Sequence, residues 1–388
     1  MRLIGTTAMG VRLPIISPGD NLVEIVAEHI LEVTKLSPLT SSDVIAVTEA
    51  IVAKAEGNFA GINDIAGDVR AKFGDAEIGL VYPMLSRNRF INILKGISAG
   101  AKKLHVLLSY PHDEVGNPIL DINRLDEIID ALPSGMVTAA EFTKVAGNFV
   151  HPFTGIDYLE LYEEAGDNIS IYLSNDPRDI LKLTPHILVG EIHNRFITKA
   201  RLEKAGATTV YTLSDILSQS VNGSGYNPEY GVLGSNLSTE DVLKLYPARA
   251  PEFVESLQNR LYEKTGARPE VMVYGDGAFK DPVCGIWELA DPVVSPGYTP
   301  RLGERPHEIK IKLVADTIAG GLTGDEKHKA VTQMIKSKAD NPDAFREGTT
   351  PRVYADLLGS LCDLMGGSGD KGTPVVLVRG YFDDYTVE

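Results

Sequence analysis

Apolar positions along the chain follow two periods, and their alternation lays out the predicted elements. In "NLVEIVAEHILEVTKL", from Asn21, apolar residues recur at helical spacing and Asp20 stands where an N-cap would. The flanking runs "VRLPII" and "DVIAVTEAIVAKAEG" read as strands, the second ending near Lys54 and Gly57. A helix is predicted around "NDIAGDVRAKFG", and a further apolar stretch, "AEIGLVYPMLSRNRFINILKGISAG", is broken by Ser86, Arg87, Asn88 and Arg89. Strands are predicted in "KKLHVLL", "NISIYL" and "EVMVYG", and a charged strand in "HEIKIKLVADTIAGG". "ILVGEIHN" and "ATTVYTLSDIL" carry strand and helix signals. Asp325 to Lys338 reads as a polar helix; "VYADLLGSLCDLM" reads as a helix and "PVVLVRG" as the closing strand.

Strands and helices are interspersed without the strict alternation of a parallel βαβ sheet. The predicted class is therefore α+β, with mixed, largely antiparallel sheets and flanking helices. Residues 1–176 form a first region. The stretch 177–268, with its Gly/Asn/Ser-rich loop "SVNGSGYNPEYGVLGSN", reads as an inserted or lid-like region, and 269–388 as a closing region.

Composition narrows the function classes. A chain of 388 residues with 43% hydrophobic and 23% charged residues has the make-up of a soluble globular protein. It contains no apolar run approaching the roughly 20 residues of a membrane helix. The start shows no secretory pattern, so the expected location is the cytoplasm. Cys284 and Cys362 form no C-x-x-C pair and are expected to be reduced core residues. A formal charge of −16 opposes nonspecific binding to nucleic acid or to an anionic membrane. A phosphate-bearing ligand would need a metal ion beside it.

Three turns place carboxylates beside glycine: "TGIDYLE" with Asp157 and Glu160, "VYGDGAF" with Asp276, and "GSGDKG" with Asp370. Oxygen donors suit Mg²⁺ and Mn²⁺, which often take only one or two protein carboxylates. Each turn is also what an ordinary surface turn looks like. Lys54 offers a point charge for phosphate. Arg87 and Arg89 offer a clamp for a carboxylate or phosphate, or an internal ion pair. "LMGGSGDKGTPVVLVRG" resembles a P-loop in composition but reverses its order, with the helix first and the strand after. That leaves a nest of glycine N–H groups as its anion-binding mode. Zinc-hydrolase, triad-hydrolase and dinucleotide fingerprints are absent from the sequence.

Taken together, "LPIISPGDNLVEIVAE", "SDVIAVTEAIVAKAEG", "GID" and "LMGGSGDKGTPVVLVRG" resemble the coenzyme F420-0:L-glutamate ligase family. The resemblance implies a two-domain fold and a homodimer. It implies a GTP- or ATP-dependent amide ligase that uses two divalent ions, Mg²⁺ or Mn²⁺, and joins L-glutamate to a small-molecule acceptor. F420-0 is the expected acceptor and a folate the alternative; a non-catalytic nucleotide- or metal-binding protein of the same fold is the other reading. Leu13, Pro14, Ile15, Ile16 and Lys54 match nucleotide-contacting positions, as does the loop of Gly366, Gly367, Ser368, Gly369, Asp370 and Gly372. Asp157 and Asp276 match metal ligands. Glu160 replaces an asparagine of the family pattern, Gly277 a threonine, and Glu49 and Ala50 two hydroxyl residues. Glutamates near phosphate would need an intervening cation, so Glu160 joins the candidate metal and nucleotide ligands. The segments 177–268 and 320–350 resemble additions to a shorter family form.

Overall fold

The computed structural model describes residues 3–114, 116–152, 154–275, 278–280, 287–289, 294–317, 320–339, 352–366 and 370–386. Helices and mixed, largely antiparallel sheets give an α+β protein. The chain divides into two compact units: Met1–Ala55, Arg249–Gly275 and Val293–Glu388 form one, Glu56–Ala248 and Asp276–Pro292 the other.

In the first unit a five-stranded sheet runs in the order Thr7–Val11, Val375–Arg379, Val44–Thr48, Glu270–Gly275, Val294–Tyr298. The Val44–Thr48 and Glu270–Gly275 strands are parallel and the other neighbours antiparallel. Period-2 alternation sends Ile45, Val47, Val271, Val273, Val375 and Leu377 to one face, against Val26 and Ile30 of helix Leu22–Val33 and Leu257 and Leu261 of helix Ala250–Thr265. Val44, Ala46, Met272 and Val376 face the other way, against Ala355, Leu358 and Cys362 of helix Tyr354–Met365. With both faces covered, the Val44–Thr48 strand is buried throughout, which explains its unbroken apolar run.

Four sequence expectations need correction here. The first strand ends at Val11, because its partner begins at Val375 behind Pro374, and Leu13 to Ile16 run on without regular structure. "DVIAVTEAIVAKAEG" is a strand, Val44–Thr48, followed by a helix, Glu49–Glu56, so Lys54 sits in a last helical turn and not at a strand end. Alanine, glutamate and lysine favour the helix once the sheet stops. The alternating "HEIKIK" leads into helix Ile311–Thr317, whose Val314 packs on Val331 and Ile335 of helix Gly324–Lys336. Asn21, and not Asp20, caps the first helix: its side chain accepts from the Glu24 N–H, while the Asp20 carboxylate accepts from the Ser17 N–H at 2.7 Å. Cys362 is buried, as expected, and burial pushes its thiol up to about 12; Cys284 lies outside the described residues.

The second unit holds a six-stranded sheet in the order Val137–Thr138, Ile169–Leu173, Lys103–Leu108, Glu77–Val81, His186–Val189, Thr209–Thr212. All neighbours are parallel except the edge strand Val137–Thr138. Numbered along the chain, the five parallel strands lie in the order third, second, first, fourth, fifth. The winding direction therefore reverses beside Glu77–Val81. Helices Ile62–Phe73 and Ile91–Gly100 approach closely at Gly96, where a Cβ would lie 2.6 Å from the Ile65 Cβ. Among the described residues no helix is long and apolar enough to cross a membrane.

Candidate functional site

Val11, Val375, Val47 and Val273 stand in register across the first unit's sheet, so the segments just past them gather at one sheet end. The Leu13 N–H donates to the Gly372 carbonyl at 3.3 Å, and the Thr48 N–H to the Pro374 carbonyl at 2.9 Å. Further on, the Gly19 N–H donates to the Ala55 carbonyl at 2.9 Å. The segment from Leu13 to Gly19 thus runs from the glycine loop to the carboxyl end of helix Glu49–Glu56. Within it, Ile16 is buried while Pro14 is exposed and Ile15 is 90% exposed. Lys54, half-buried, lies five residues into that helix, about 7.5 Å along its axis from Glu49. Glu49 itself is buried and engaged by groups of the chain.

The described ends of the terminal loop show why glycine stands there. A Cβ on Gly366 would lie 2.7 Å from the Thr373 carbonyl oxygen, and Gly372 has φ +62°, the left-handed region. The Gly366 N–H donates to the Cys362 carbonyl, ending the helix. Asp370 is an exposed turn residue. Gly367, Ser368, Gly369, Asp276 and Gly277 lie outside the described residues; Gly275, which precedes Asp276, ends its strand at the same sheet end.

Asp157 belongs to the second unit and caps helix Tyr158–Glu163. Its Oδ1 accepts from the N–H groups of Leu159 (3.0 Å) and Glu160 (3.3 Å), and Oδ2 makes no hydrogen bond among the described residues. Gly155, at φ +68°, turns the chain into this cap, and its N–H donates to the His151 carbonyl. Glu160 is exposed in the helix's first turn. Among the described residues no three His, Cys, Asp or Glu side chains are grouped to hold a metal ion. The open Asp157 oxygen and Glu160 fit a cation that takes one or two carboxylates and completes its shell with water or phosphate oxygens. Arg89 is buried and Arg87 half-buried in the turn after Glu77–Val81, and both are engaged by groups of the chain.

Sequence reasoning missed a cavity of about 260 Å³ in the second unit, lined by residues that follow the parallel strands, among them Ser109, Asp113, Glu114, Asn175, Glu191 and His193. The available signal was a cluster of titratable residues directly after apolar strands, "SYPHDE" and "GEIH". Asp113 Oδ2 pairs with His151 Nε2 at 3.1 Å, and both side chains are buried. Part of the Glu114 residue reaches the surface, but its carboxyl is enclosed, and burial pushes it up to about 7 against the pull of backbone N–H donors that include Leu85.

That upward shift sets a stability window. The folded state holds a proton that the unfolded chain releases nearer the ordinary carboxylate range, so stability falls as pH rises towards about 7 and the loss is complete above it. Glu114→Gln is expected to be more stable than wild type at pH 8, by up to about 3 kcal/mol, and to lose that advantage by pH 4. Melting curves at the two pH values check this; an equal difference at both would refute the burial of a charge.

Two sheets packed against helices, with glycine and carboxylate turns between their elements, define an α+β protein. A family model described as F420-0:Gamma-glutamyl ligase matches residues 10–380, nearly the whole chain. The chain belongs to the F420-0:gamma-glutamyl ligase family, and membership implies a ligase acting on small molecules such as glutamate and an F420-type acceptor. No curated protein matches it.

Proposed function

We propose that the chain is a GTP- or ATP-dependent ligase of the gamma-glutamyl ligase type that joins the amine of L-glutamate to an acceptor carboxylate, as an amide, by way of an acyl phosphate. The acceptor carboxylate attacks the terminal phosphorus, the bridging oxygen leaves with the nucleoside diphosphate, and the glutamate amine then displaces phosphate and loses a proton. Leu13 to Ile16, Lys54 and the loop Gly366 to Gly372 would hold the nucleotide. Asp157 and Asp276, with Glu160, would hold Mg²⁺ or Mn²⁺. When bound, such a cation offsets negative charge on phosphate oxygens. Lys54 adds a fixed positive charge, and the glycine N–H groups orient phosphate without a side chain in the way.

The observation that supports this reading is the bond from Leu13 to Gly372, since it joins the first and last motif segments at the sheet end where helix Glu49–Glu56 begins. Such a strand-to-helix junction turns helical N–H groups towards an anion. Purified protein with nucleotide, Mn²⁺ and L-glutamate is expected to release phosphate when F420-0 is added and to remain near background without it. Release stimulated by a reduced folate alone would make folate the acceptor. Nucleotide binding without release on either would identify a non-catalytic member. A homodimer is part of the proposal, and a monomer mass by light scattering at micromolar concentration would remove it.

A further inference from the structure

The cavity of the second unit lies where its parallel sheet reverses direction, beyond the carboxyl ends of Glu77–Val81, Lys103–Leu108, Ile169–Leu173 and His186–Val189. Open parallel sheets bind ligands at this position, because loops leaving opposite faces diverge there and leave a crevice. The charge of the lining selects among ligands. Asp113, Glu114 and Glu191 face the cavity with His112 and His193, and among the described residues no lysine or arginine lines it. Arg195, close by in sequence, is not among the lining residues; its Nη1 donates to the Ile192 carbonyl and its guanidinium lies 4.7 Å from the centre of the Phe196 ring. A phosphate or carboxylate entering the cavity would meet carboxyl groups without a fixed cation.

The carboxyls are held by their own scaffold. Asp113 accepts from the Asn117 backbone and side chain, at 2.7 Å each, and pairs with His151, so its acceptor capacity is largely taken up. Glu114 accepts from the Leu85 N–H at 3.1 Å, and Glu191 from the Thr198 hydroxyl at 2.6 Å. A carboxylate has about four lone-pair sites, so each of these two retains acceptors for a ligand. Ser109 and Asn175 add neutral polar atoms. A primary ammonium group, with three donors and no acceptor, complements that set.

We propose that this cavity binds the primary ammonium group of a small ligand that carries no carboxylate or phosphate beside it. The proposal stands apart from the ligase reading. Calorimetry on the full chain at pH 8, where Glu114 is ionised, tests it with 1,4-diaminobutane as probe, 1,4-butanediol as its neutral counterpart, and L-glutamate as an ammonium flanked by carboxylates. The diamine is expected to bind at one site, the diol at least about 10-fold more weakly, and Glu114→Gln and Glu191→Gln each to weaken the diamine by about 10-fold, as loss of a charged hydrogen-bond partner does. Glu191→Gln is the arm independent of the stability change expected at Glu114. Equal binding of diol and diamine would overturn the proposal, as would glutamate binding more tightly than the diamine. So would weak multi-site binding indifferent to Glu191→Gln, which is what attraction to a chain of formal charge −16 alone would produce. Failure of the ligase reading is read separately, from acceptor-stimulated phosphate release, which involves no diamine.

Discussion

Asp157→Asn is expected to lower acceptor-stimulated phosphate release by roughly 10²-fold, the size of effect seen when one preorganised electrostatic contact is lost. The fold should survive. Asp157 caps helix Tyr158–Glu163 through Oδ1, and asparagine caps as well as aspartate, so melting should move by no more than a few tenths of a kcal/mol. What the substitution removes is formal charge, including that on Oδ2, which makes no hydrogen bond among the described residues. Raising Mn²⁺ is expected to restore part of the rate. Asp157→Ala separates the roles further: it should cost about 1 kcal/mol of stability for the missing cap in addition to the rate. If Asp157 is only a helix cap, Asn will match wild type in rate and in Mn²⁺ titration, and the ligand assignment falls.

Lys54→Gln carries the other large expectation. Glutamine keeps much of the stem and most of the helix propensity but has no charge, so the last turn of helix Glu49–Glu56 should persist. Nucleotide affinity should fall by about 10-fold or more and phosphate release by up to roughly 10²-fold, since a lysine that holds phosphate acts as a point charge. Calorimetric titration with a non-hydrolysable nucleotide, beside the rate, measures both. A lysine that is merely solvated would leave affinity unchanged and stability within about 0.5 kcal/mol.

These variants depend on how local pattern and long-range pairing divided the task of placing residues. The buried runs "VIAV" and "VVLV" announced strands because side chains on both faces of a covered sheet must be apolar. The helical spacing in "NLVEIVAEHILEV" and "VYADLLGSLCDLM" announced helices because one face of each packs on that sheet. "HEIKIK" misled, since alternation in a short segment does not by itself supply a partner strand, and among the described residues none pairs with it. The strand drawn through Lys54 failed for a related reason: "VIAVTEAIVAK" is apolar enough for either element, and the end of the partner strands decides where extension stops. The parallel sheet of the second unit was hidden by the long crossover between Lys103–Leu108 and Ile169–Leu173, which breaks the even strand-helix rhythm such sheets usually display.

By itself the sequence determined the α+β class and the principal helices and buried strands, and it singled out Asp157, Lys54 and the terminal glycines as candidates, because these readings rest on local period, turn chemistry and residue type. Tertiary structure decided which of them meet. Leu13 reaches Gly372 only because Thr7–Val11 pairs with Val375–Arg379, and the cavity beside Glu114 exists only because five strands order themselves so that their winding reverses. Pairing between segments so distant in the chain is selected by the burial of whole sheet faces, and no local window of residues encodes that selection.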